Sequence, residues 1–180
     1  MENYNEVLET VKTILTDNNK VKADAQSVKF ATGFYAVSFC HSFKEWKEYD
    51  SLFGQLKDDL KKIGLKFAGS PLAKACLVTA TAVIDCKVRI KGDSDDSRFE
   101  DFKELLKSNS LNFSSKQGDV RLALGQATDS DIESAKAELL KKIEKAIECL
   151  SENSEFLTAE QSEHMIALLE SRYLKAEKAA

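Results

Sequence analysis

Eleven positions between Val28 and Ile63, spaced alternately four and three residues apart, are almost wholly apolar: Val28, Thr32, Tyr35, Phe39, Ser42, Trp46, Tyr49, Phe53, Leu56, Leu60 and Ile63. Nine are hydrophobic and the other two are small hydroxyl residues. A 3.5-residue period over such a length belongs to helix packed along a seam, because a strand would repeat every two residues. Gly33 and Gly54 lie within the seam, and each costs a helix about 1 kcal/mol relative to alanine. Two helices broken near His41–Lys44 therefore fit the pattern as well as one long helix. Gly64, following Lys61 and Lys62, has the place of a helix-ending glycine, with cations suited to the helix's negative end.

The same helical period recurs at both ends of the chain. A first helix is predicted from about Asn3 to Leu15, ended by the turn-forming stretch Asp17-Asn18-Asn19-Lys20. In the C-terminal third, Ser130 with Glu133 and Thr158 with Gln161 have capping-box spacing. They open two amphipathic helices that predict a helical hairpin over about residues 130–176. Ser97 with Glu100 has the same spacing ahead of Phe99, Phe102, Leu105 and Leu106.

Residues 71–92 read two ways. As helix, Ser70 caps it, Pro71 takes the first helical position, and Leu72, Cys76, Thr79, Val83, Cys86 and Ile90 form one stripe. As strand, Ile84, Cys86, Val88 and Ile90 alternate with Asp85, Lys87, Arg89 and Lys91, and the preceding β-branched content agrees. The caps favour helix. Residues Leu111 to Leu124 read as a β-hairpin about a Lys-Gln-Gly-Asp turn. The fold predicted is mainly α, a bundle of about six or seven helices in one domain spanning residues 1–180. The alternative is α+β, with strands near 34–43 and 76–91 and a hairpin at 110–125.

The bulk numbers narrow the function classes. The 180 residues suffice for a real core, and 31% charged content is that of a soluble globular protein. A net charge of −4 gives no global field for nucleic acid; that reading would need Lys20, Lys22, Lys87, Arg89 and Lys91 to converge. No apolar run approaches the roughly 18 residues of a membrane span, and the acidic start MENYNEVLET does not resemble a targeting signal. Cys40, Cys76, Cys86 and Cys149 lie far apart, mostly in apolar surroundings, and read as reduced, buried thiols of a cytoplasmic protein.

Chemistry-bearing motifs are sparse. The only histidines are His41 and His164. Cys40 and His41 invite a nucleophile reading, yet neighbours on a helix point about 100° apart, so the pair does not make a catalytic dyad by itself. His164 reads as a solvated histidine among Glu160, Glu163 and Met165. Asp93, Asp95, Ser97 and Glu104 have the spacing of calcium-loop oxygens, but Arg98 stands where that loop needs glycine. There is no zinc-spaced Cys/His set, phosphate-binding glycine loop or nucleophile elbow. No metal, cofactor or catalytic residue is predicted.

What remains is aromatic. Phe30, Phe34, Tyr35, Phe39, Phe43, Trp46, Tyr49 and Phe53 place eight rings within 24 residues. Rings on more than one helix face must be central in a core or must bury a second face in another chain. Phe43, Trp46 and Tyr49 are accordingly the expected partner contacts. The function predicted is non-enzymatic: an adaptor, chaperone-like or assembly protein that binds a protein partner, or itself, through helix faces. The alternative is a small enzyme or ligand-binding domain with a dispersed site near Cys40, His41 and the aromatic cluster.

Overall fold

The computed structural model describes residues 4–20, 25–152 and 158–178, and among these every regular element is helical. The helices are α1 (Tyr4–Lys20), α2 (Ala25–Cys40), α3 (Trp46–Lys62), α4 (Pro71–Ala80), α5 (Asp95–Ser108), α6 (Gln117–Ala123), α7 (Asp129–Glu152) and α8 (Ala159–Lys178). Helix α4 runs directly into a π-helical turn, Thr81–Asp85. The mainly α fold expected from the seam is the one observed, and no helix among the described residues is long and apolar enough to cross a membrane. By its contacts the chain forms two compact units, Met1–Ala127 and Thr128–Ala180.

In the first unit the long seam breaks at residues 41–45, between α2 and α3. Thr32 and Phe39 of α2, and Phe53, Leu56 and Leu60 of α3, are buried along it, while Ser42 in the break faces solvent. Helix α3 stops as Gly64 predicts. Gly64 adopts φ +77°, its N–H donates to Lys61 O, and the Leu65 N–H donates to Leu60 O at 2.9 Å. This pair of bonds satisfies carbonyls that a helix end leaves without partners.

Helices α2 and α4 pass through the middle, and both are apolar on nearly all sides, as central helices must be. Small residues let their backbones approach: Gly33, Ala36 and Cys40 on one, Ala75, Cys76 and Ala80 on the other, all buried. The pair divides the core in two. Ala36, Phe39, Cys40, Leu72, Ala75 and Cys76 pack with α1 and α3, while Val37, Val78 and Ala82 pack with Phe99, Phe102, Leu106 and Val120. Tyr4 Oη ties α1 to α3 by donating to Asp59 Oδ2 at 2.6 Å. Burial, then the Asp59 carboxylate, push that phenol up to about 12, so the donor is intact throughout the neutral range.

Threonine and valine in Leu77–Asp85 favour strand by composition, but burial between two helical layers decides the conformation. The Thr79 and Thr81 hydroxyls, themselves buried, donate to the carbonyls of Ala75 and Leu77, at 2.9 and 2.7 Å. That back-bonding resolves their polarity inside the helix. At the start, Ser70 Oγ accepts from Ala73 N at 3.1 Å and Pro71 occupies the first turn.

Several local expectations are corrected. Residues 110–125 are not a hairpin: Asn112 and Ser115 form a hydrogen-bonded turn, and Gln117–Ala123 is helix α6, which buries Val120. A helix of seven residues needs only that single anchor, so the short apolar run carried no strand information. Nor are 34–43 or 76–85 strands; both lie in or next to helix, and only residues 86–91 leave it. Helix α1 continues through 17–20 to Lys20. The capping boxes of α5 and α7 begin earlier than spacing suggested. Ser94 pairs with Ser97, and Thr128 with Asp131. In each case a short side chain nearer the true start reaches the first free N–H.

The second unit comprises α7 and α8. Thr158 and Gln161 form the expected box at the start of α8, and Glu138 pairs with Lys142 at 3.3 Å along α7. Ile143 is buried, whereas Ile132, Leu139, Met165 and Leu168 are exposed.

Two glycines in this architecture should respond oppositely to alanine. A Cβ on Gly33 would lie 2.7 Å from the Phe113 ring and 2.9 Å from the Phe99 ring, which themselves stack at 5.9 Å. A Cβ on Gly54 would meet nothing within 4 Å. Gly33→Ala is expected to destabilise by about 1–3 kcal/mol through overpacking, and Gly54→Ala to stabilise by up to about 1 kcal/mol through helix propensity. Urea denaturation of the two variants checks both signs.

Candidate functional site

Where α4 ends, the chain leaves the helix by an unusual route. The Cys86 N–H donates to Thr81 O, five residues back, and the Val88 N–H to Ala82 O, six back, at 3.0 Å. The widened turn is a π-helical feature of the kind often found at functional sites. Lys87 completes it with φ +56°, a left-handed conformation that costs an L-residue about 1–2 kcal/mol. Glycine would be the ordinary choice there, and strain of this type tends to persist where it positions something.

Residues 86–91 then run across the second core cluster. Cys86, Val88 and Ile90 are half-buried against it, and Lys87, Arg89 and Lys91 are exposed. Beyond the left-handed Lys87, alternating burial of this kind over 88–91 is the mark of an extended backbone. The period-two pattern in the sequence was therefore real, yet no strand pairs with it among the described residues. The far end is fixed by Lys91 N–H donating to Asp101 Oδ2 at 2.8 Å. Gly92 allows the chain to pass α5, because a Cβ there would lie 2.7 Å from Arg98 N, at φ +139°.

This segment borders a groove of about 470 Å³. The loop after α2 contributes His41, Phe43 and Lys44, the π turn and its left-handed exit contribute Val83 and Lys87, and the segment beyond contributes Val88, Arg89 and Ile90. Four lining residues are basic or imidazole and four are apolar; none is acidic. Lys87 and Arg89 form no ion pair or side-chain hydrogen bond with any described residue. His41 is held by its own helix: Nδ1 lies 2.9 Å from Ser38 O and 3.1 Å from Val37 O. Carbonyls only accept, so Nδ1 carries a proton and is the donor here.

A polar node next to the groove joins three elements. Asp85, closing the π turn, accepts from Trp46 Nε1 at 2.7 Å and from Arg121 Nη1 at 3.0 Å. The Asp85 and Arg121 side chains are each 22% exposed, so this ion pair is partly shielded from water. Gln117 Nε2 adds a bond to Thr81 Oγ1 at 3.2 Å. The rings expected to contact a partner lie around this node. Trp46 stands 5.4 Å from Tyr49, and Phe43 6.4 Å from Tyr49, each centroid to centroid. All three are half-buried, and Phe43 alone of them lines the groove.

Cys40 and Cys76 share the core interior beside Tyr49. Burial first, then the adjacent Cys76 thiol, push the Cys40 thiol well up, and burial likewise raises the Tyr49 phenol. A thiol held protonated is a poor nucleophile, so Cys40 and His41 face different tasks: one packs, the other lines the groove. The acidic residues with calcium-loop spacing are engaged otherwise. Asp95 accepts from Arg98 and Ser38, and Ser97 serves the cap of α5. Among the described residues no three His, Cys, Asp or Glu side chains gather as a metal site. Of the basic residues considered for nucleic acid, Lys87, Arg89 and Lys91 follow one another along the exit from α4, and Lys22 lies outside the described residues.

Compared with protein-family models, with curated proteins and with solved structures, the chain gives no match.

Two measurements check this geometry. Asp85→Ala removes the acceptor for both Trp46 and Arg121, and is expected to destabilise by about 2–3 kcal/mol and to shift the emission of Trp46, the single tryptophan. In a thiol titration of the native protein, exposed Cys149 should react first, while Cys40 and Cys76 react only on unfolding. A hyper-reactive Cys40 would contradict the packing described.

Proposed function

We propose that the protein is a non-enzymatic interaction protein, an adaptor or assembly component, that captures an acidic segment of a protein partner in the groove between the loop after α2 and residues 87–90. The observation that carries this reading is the local reversal of charge. In a chain of net charge −4, Lys87 and Arg89 stand beside Lys44 and His41 over an apolar floor, without an acidic residue in the lining. Two cations without an ion-pair partner among the described residues, Lys87 and Arg89, next to apolar surface suit a partner that brings both carboxylates and hydrophobic side chains. The rings of Phe43, Trp46 and Tyr49 extend the apolar side of this surface. Four reduced thiols suit the cytoplasm as the place of action.

A second reading, a small-ligand site, is supported by the groove's volume of about 470 Å³, which is within the usual range for such pockets. Lys44, Lys87 and Arg89 would then be its polar anchors, donating to an anionic ligand.

Trp46 emission reports on both readings, since its indole bonds Asp85, two residues before Lys87. An acidic, valine-rich peptide is expected to change that emission saturably, with affinity falling as salt rises. Lys87→Glu/Arg89→Glu should weaken it at least tenfold, and the glutamine analogue of the peptide should bind the native protein correspondingly less. Saturation by phenyl phosphate with no response to the peptide would favour the small-ligand reading instead.

A further inference from the structure

We infer that residues 88–90 are a β-strand edge completed from outside: the partner segment binds extended, pairing its backbone with this edge as it lies in the groove. The inference rests on the groove being the binding surface and specifies how that surface is used. The segment has two attributes of a strand, alternating burial and an irregular backbone pinned at both ends, and it lacks a neighbour. Its side chains alternate, with Val88 and Ile90 half-buried and Lys87, Arg89 and Lys91 exposed. Its two ends are pinned, by Val88 N–H on Ala82 O and Lys91 N–H on Asp101. Between those pins, the backbone N–H and C=O of Arg89 and Ile90 make no hydrogen bond with any described residue.

A pinned extended segment with open backbone groups is a template for strand addition. The side chains state what suits it. An added strand brings alternate side chains to one face, so a segment with carboxylates on one face and aliphatic groups on the other meets Arg89 and Lys87 with the first. Its second face meets Phe43, Val83 and Val88. The occupant is therefore an extended peptide segment in which acidic and aliphatic residues alternate. One added strand pairs with the backbone groups of either Arg89 or Ile90, whichever face the groove; a helical acidic segment would match the charges and leave both open.

The test uses the full chain and three synthetic nine-residue peptides of alternating glutamate and valine, acetylated and amidated. One is unmodified, one N-methylated at the glutamates and one at the valines. A strand offers the N–H groups of alternate residues to one neighbour, so methylation in one register should weaken binding at least tenfold and leave the other register within about threefold. Exchange of the Arg89 or Ile90 amide should slow in the complex. If both methylated peptides bind like the parent, or both lose equally, the strand pairing is wrong; provided Lys87→Glu/Arg89→Glu still abolishes binding, the groove stands as the binding surface. If the unmodified peptide does not bind, or binds the double variant equally well, the groove reading falls and takes this inference with it.

Discussion

The close approach of α2 to α4 is the contact on which the first unit depends. Burying helices against each other on all sides leaves no polar face to orient them, so the fit of small against large side chains must do so. Ala36, Cys40, Ala75 and Cys76 let the two backbones near each other, and the bulk lies outside the pair: Phe39, Leu56 and Leu60 to one side, Phe99, Phe102 and Leu106 to the other. Gly33 extends the principle to α5 and the turn after it, since its missing side chain is where Phe99 and Phe113 sit. Replacing any of these small residues with a larger one would separate layers rather than fill a gap.

That packing explains why the π turn falls where it does. From Val78 to Ile84 every residue of α4 and the π turn is buried, and the chain must then be released to the surface. A regular helix would have continued its apolar stripe into Cys86 and Ile90. The extra residue in the turn and the left-handed Lys87 instead redirect the backbone across the second core cluster. Asp85, at the point of release, is clamped by Trp46 from α3 and Arg121 from α6. The groove is thus bounded by the end of one central helix, α2, and by the exit from the other. It is a consequence of how two buried helices reach the surface side by side.

Much of this was legible in the sequence where a single element determines its own pattern. The seam, its break near His41–Lys44, the caps at Ser70 and Thr158 and the glycine end of α3 each depend on residues within a few positions of one another. The errors arose where two signals shared residues. Residues 84–91 carry a strand pattern because burial alternates along 86–91, although 84 and 85 close the π turn, and periodicity cannot say whether a neighbour exists. Residues 111–124 have apolar runs short enough for either a hairpin or a turn and one anchored helix. The groove was illegible because its cations come from residues 41–44 and 87–89, which only the α2–α4 contact brings together. Cys40 and His41 drew attention as neighbours, and the fold separates them: one is sealed in the core, the other is at the rim.

Net charge is a poor guide to such a surface. A chain with 30 acidic and 26 basic side chains repels an acidic partner at long range only weakly, because the field of exposed charges fades over about 8–10 Å at physiological salt. Within that distance the local set decides. Lys44, Lys87 and Arg89 line the same groove beside apolar side chains, so their charges act together there. The same acidic excess elsewhere then favours selectivity, since an acidic segment that misses the groove meets mostly like charge. A cationic groove on an acidic protein is therefore a more discriminating acceptor than the same groove on a basic one.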